Sequence, residues 1–107
     1  MKLSEPINLS FTRENAIKLL LSGEKPESSL YSHKQIAEWC ENFWNKYNDI
    51  DAPEEIEKIM PVLADVETQW DLYLANTYTL EELQKQSFEN VALPSEWFSN
   101  WLKEINA

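Results

Sequence analysis

Carboxylates are the residues most able to do chemistry in this chain, and they come in groups: Glu54-Glu55-x-Glu57 and Glu81-Glu82, with Asp51, Asp65, Glu67 and Asp71 nearby. Paired acids at such spacing can ligate a hard cation or act as an acid/base pair. The supporting residues are thin. His33 is the only histidine and Cys40 the only cysteine. No Asp-x-Asp-x-Asp-Gly loop and no Glu-x-x-His sequence occurs, so neither a calcium loop nor a di-iron helix pair is indicated. One glycine, Gly23, leaves nothing to build a phosphate-cradling loop. No catalytic, metal or cofactor site is expected. His33 reads as a structural or surface histidine and Cys40 as a buried thiol among apolar wheel neighbours.

The charge distribution points elsewhere. The chain has 107 residues with 19 acids and 9 bases, a formal net charge of −10. Residues 54–107 carry eleven acids and three bases, and between Asp49 and Glu82 ten acids meet one base, Lys58. A solvated helix face normally mixes signs, because like charges one turn apart repel. Such a field disfavours direct contact with nucleic acid or an anionic membrane and favours a basic protein partner. The expected contacts are Glu54, Glu57, Asp65 and Asp71, acting as phosphate surrogates for lysine or arginine, with Leu72 exposed among them.

These acids need a scaffold, and the scaffold reads as helices. At this length one core is expected, in a single domain spanning 1–107 that opens with an extended arm over 1–11. Thr12 is placed to cap a first helix of about ten residues, with Ala16, Ile17, Leu20 and Leu21 inward and Gly23 as its left-handed stop. Lys25 to Ser29 reads as a loop. Ser32 and Gln35 have capping-box spacing, opening a second helix whose stripe is Ile36, Cys40, Phe43 and Tyr47, widened by Ala37, Trp39 and Trp44. Asp51 and Glu54 repeat that spacing before a long third helix, with Ile56, Ile59, Leu63, Val66, Trp70 and Tyr73 inward and Pro61 kinking it on the far side. Thr79 and Glu82 open a short fourth helix with Leu80, Leu83 and Phe88 inward. Trp97, Phe98, Trp101, Leu102 and Ile105 form the stripe of a fifth. The fold class is therefore all-α, a bundle or orthogonal array of about five helices.

Leu19-Leu20-Leu21-Ser22-Gly23-Glu24, Phe43-Trp44, and the run from Pro53-Glu54-Glu55-Ile56 to Val66-Glu67 together resemble small bacterial immunity proteins, the helical type that neutralises colicin-D-like transfer-RNA nucleases. That resemblance implies stoichiometric inhibition, with an acidic surface filling the basic cleft of a nuclease toxin. A second reading is a helical adaptor that uses Trp97 and Trp101 as an aromatic patch. A third is a small carboxylate- and metal-dependent enzyme. With a lone cysteine, no leader pattern and no apolar run of spanning length, a cytoplasmic location is the expectation.

Overall fold

A computed structural model of the chain describes residues 7–25, 31–85, 88 and 91–106. The first part of the expected arm (1–6) and the Pro26 to Ser29 part of the expected loop lie outside the described residues. Among those described, all regular structure is helical: α1 (Arg13–Glu24), α2 (His33–Tyr47), α3 (Glu54–Glu57), α4 (Met60–Thr77), α5 (Leu80–Lys85) and α6 (Ser95–Ile105). The four longer helices close a ring in which α1 packs on α2, α2 on α4, α4 on α6 and α6 on α1.

Three of the expected helix starts form as the side chains dictate. Thr12 Oγ1 accepts from Asn15 N–H at 3.1 Å. Ser32 and Gln35 exchange both bonds of a capping box, at 2.8 and 3.1 Å, and Thr79 and Glu82 do the same at 2.9 and 3.2 Å. Each satisfies N–H groups that the first turn leaves unpaired.

The stretch from Asp51 differs from expectation. Asp51 makes no cap, Pro53 is the residue before α3, and that helix ends after one turn. Pro61 does not kink a continuous helix; it stands in the first turn of a new one, α4, where its missing N–H has no intrahelical partner to lose. The inward stripe survives the break: Ile56, Ile59, Leu63, Val66 and Trp70 are buried and Tyr73 half-buried, with Val62 buried beside them.

Gly23 also departs from its expected role. It is helical and buried, with no positive φ, and the inner face of α1 is Ala16, Leu19, Leu20 and Gly23. Those positions are i, i+3, i+4 and i+7, the stripe obtained when the glycine counts as core. Leu21 then turns outward and is half exposed. Leu80 is another correction. It is exposed, and α5 buries no residue, resting on α4 with Leu83 half-buried.

The described end of the arm is held on α2. Ile7 is buried, Leu9 C=O accepts from the Trp39 indole N–H at 3.1 Å, and Phe11 stacks on Phe43 with ring centroids 5.2 Å apart. At the opposite side, α1 and α6 run antiparallel. Arg13 at the start of α1 donates to Ile105 C=O at 3.1 Å, while Glu24 at its end accepts from the Ser99 hydroxyl.

Candidate functional site

His33 is buried between three elements. Its Nε2 lies 2.8 Å from Gly23 C=O and its Nδ1 accepts from Leu93 N–H at 2.7 Å. An amide N–H can only donate, so Nδ1 carries the lone pair, Nε2 carries the proton, and the ring is neutral. Burial lowers its pKa, with the Gly23 carbonyl opposing. Cys40 is likewise interior, and burial, then the charge of Glu67, pushes its thiol up to about 12. A thiol so placed stays protonated and unreactive at neutral pH. Both residues serve the fold. Among the described residues no group of three His, Cys, Asp or Glu side chains could hold a metal ion.

The five expected contact residues do not share one face. Glu54 stands at a cleft of about 560 Å³ with Arg13, Lys58 and Glu104, and is paired to Lys58 at 3.5 Å. Glu57 is at the rim of a separate groove formed with α2. Asp65 is half-buried and faces α6, where its Oδ2 accepts from the Trp101 indole N–H at 2.7 Å and its Oδ1 from Gln69 at 3.5 Å. Leu72 is exposed two turns further along that flank. Asp71 lies on the other flank of α4, near Glu67.

Asp65 therefore departs from the expectation of a solvent-facing acid without a partner. It ties α4 to α6 through an indole 36 residues away. Asp65→Ala should lower stability by about 1–3 kcal/mol, the cost of leaving a buried donor unsatisfied, whereas Asp71→Asn should not lower it. Paired urea melts check this, and equal midpoints for the two variants would mean that the Trp101 bond contributes nothing.

The seam between α2 and α4 is where acids gather. The two helices are antiparallel: Trp44 and Tyr47 near the end of α2 line a groove with Met60 and Ala64 at the start of α4, and Glu41 lies near Glu67 and Asp71. Burial first, then the charges of Glu41 and Asp71, raise the pKa of Glu67. Carboxylates from both helices, Glu41 of α2 and Asp71 of α4, thus act against the charge of Glu67 at this seam. Neither the Lys58–Glu54 nor the Lys85–Glu81 ion pair reaches this cluster. Sequence reasoning misses Glu41 because it sits on the polar side of α2, and only the antiparallel pairing brings it to Glu67.

The two indoles of α6 have different roles. Trp101 is buried, packed edge-on against Phe98 at 5.0 Å. Trp97 is half-buried, edge-on to Tyr73 at 6.0 Å, and lines a cleft of about 310 Å³ with Asp65, Gln69 and Glu104. Compared with protein-family models, with curated proteins and with solved structures, the chain matches none. No helix among the described residues is long and apolar enough to cross a membrane.

Proposed function

We propose that this chain is a non-enzymatic acidic binding module that captures a basic protein partner, a nuclease toxin being the partner its resemblance to immunity proteins implies. The observation that carries the reading is the unbalanced negative charge, ten acids against one base from Asp49 to Glu82, which the fold extends across two helices by bringing Glu41 of α2 to Glu67 of α4. Such a cluster works against folding in the free protein and is relieved when a lysine or arginine approaches, so its energy is returned on binding. Asp71 is kept from the expected contacts, and Glu57 continues the negative seam. Glu41 and Glu67 join them. Asp65 and Glu54 already have partners within the chain. The adaptor reading has less support, because Trp101 is committed to the core and cannot anchor a partner.

The test uses opposite expectations for stability and binding. Ionised Glu67 with a raised folded pKa disfavours the fold: its favourable contribution is present when it is protonated and is lost as pH rises through the folded pKa. The Glu41→Gln, Glu67→Gln, Asp71→Asn variant should therefore melt at the same or a higher temperature at pH 7. It should also bind a Lys/Arg-rich peptide more weakly by about 1.5–3 kcal/mol for each charge-assisted hydrogen bond removed, and the wild-type affinity should fall with added salt. Undiminished peptide binding by the variant, or salt-independent binding by the wild type, would remove this reading.

A further inference from the structure

The groove at the α2–α4 seam is apolar where the rest of the seam is acidic. Trp44, Tyr47, Ile50, Met60, Pro61 and Ala64 line a space of about 490 Å³. Ile50 is 58% exposed, although it is flanked by Asp49 and Asp51 in a turn where an aliphatic side chain has no structural task. Trp44 and Met60 are half-buried, so their outer surfaces form the floor.

Acids bracket this patch at both ends. Asp49, Asp51 and Glu57 are exposed on one side. On the other, Glu41 lies one turn before Trp44, and Glu67 and Asp71 lie one and two turns beyond Ala64 on the same flank. The acids outnumber the nearby bases. Lys46 stands over the rings of Phe11 and Tyr47, at 5.7 and 5.5 Å, on the α2 side of the groove. Lys58 lines the neighbouring cleft, paired with Glu54.

Resting on the acidic-binding reading, we infer that this groove docks an amphipathic helix of the basic partner. Two or three apolar residues of that helix enter over Trp44, Ile50 and Met60, and Lys or Arg residues at both of its ends meet the bracketing acids. The span fits: from Met60 to Asp71 along α4 is about 16 Å at about 1.5 Å per residue, which a helix of roughly three turns covers. Charge decides against a second copy of this chain. Each copy carries −10, and a symmetric pairing would place the acids bracketing one groove against those bracketing the other.

Two synthetic peptides of identical Leu/Ala/Lys composition test the assignment against the full chain. One has leucines at i, i+3 and i+4 with lysines at both ends; the other is permuted so that no apolar face forms. The amphipathic peptide should bind at least about tenfold more tightly, the factor expected from burying further aliphatic surface. It should also shift the Trp44 indole resonance. Ile50→Ser, a change at an exposed position that leaves the core intact, should reduce its affinity to that of the permuted peptide and leave the latter unchanged. Equal affinities for the two peptides, insensitive to Ile50→Ser, would overturn the groove while keeping the acidic surface. Failure of both peptides to bind would overturn the acidic reading and the groove with it. Concentration-dependent self-association abolished by Ile50→Ser would also overturn the assignment, giving the groove to a second copy.

Discussion

Gly23→Ala is expected to destabilise this protein by about 1–3 kcal/mol, the usual cost of forcing a methyl group into a packed interior. The sign is the informative part. Within a helix alanine is normally favoured over glycine by about 1 kcal/mol, because it restricts the unfolded chain. Gly23 has no positive φ that would exclude alanine. The obstacle is packing: an added Cβ would lie 2.6 Å from Phe98 Cδ1 and 2.9 Å from Cζ, and closer still to Cε1. Phe98 is fully buried and held against Trp101 and His33, so its ring has nowhere to go. Helices α1 and α6 would have to separate, loosening the Arg13 and Glu24 ties at both ends of the pair. In thermal melts the loss should appear as a fall of roughly 4–8 °C for each kcal/mol in a domain of this size. Phe98→Leu shortens the obstructing ring, so Gly23→Ala should cost less in that background, and the double-mutant cycle isolates the contact. Alanine raising the melting temperature in the wild-type background would show that α1 and α6 do not approach through this glycine.

The same residue shows where reading from sequence stops. Caps and stripes are local, and Thr12, the Ser32–Gln35 box, the Thr79–Glu82 box and the Ile36–Cys40–Phe43 stripe are legible because their causes lie within four residues of one another. A lone glycine near a helix end reads as a stop by the same local logic. Its true partner is a phenylalanine in the last helix, which no local pattern reveals. Pro61 is ambiguous for a related reason: proline is tolerated both at a kink and in a first turn, and what resolves it is a break at Lys58–Ile59 that still leaves Ile59 buried. The acids separate along the same line. Their excess is evident from composition, but which are free and which are committed depends on Trp101 for Asp65 and on the antiparallel approach of α2 for Glu67 and Asp71. A hydrogen bond across 36 residues and a repulsion between two helices are tertiary facts. Composition supplies the charge, and packing decides where it can be used.

His33 is the second place where one side chain fixes several elements, and its removal should cost more than that of any surface acid. The ring joins the end of α1, through Gly23 C=O, to the segment entering α6, through Leu93 N–H, and lies 4.4 Å from the Phe98 ring. His33→Ala leaves a buried carbonyl and a buried amide without partners and opens a cavity beside Phe98, so a loss of about 3–5 kcal/mol is expected. His33→Asn keeps a side-chain acceptor and donor on a shorter stem and should recover part of it. Acid supplies a reversible version of the same experiment. Burial lowers the pKa of the ring below the ordinary 6.5, with the Gly23 carbonyl opposing, and protonation would also place a hydrogen on Nδ1, where Leu93 N–H already points. For a group depressed in this way, the unfolded chain binds the proton first. Stability is then complete above the unfolded value and declines as pH falls below it, until the folded pKa is reached. Ionised Glu67 contributes the opposite slope near the carboxylate range, because its folded pKa is raised. The Glu67→Gln background therefore exposes the histidine. In that background, denaturant midpoints between pH 7 and pH 5 should fall steadily, and the fall should disappear when His33→Asn is added. Midpoints that stay level or rise between pH 7 and pH 5 in the Glu67→Gln background would mean that the folded state takes up the proton as readily as the unfolded chain, and the neutral ring joining Gly23 to Leu93 would be wrong; a slope that survives His33→Asn would belong to other groups.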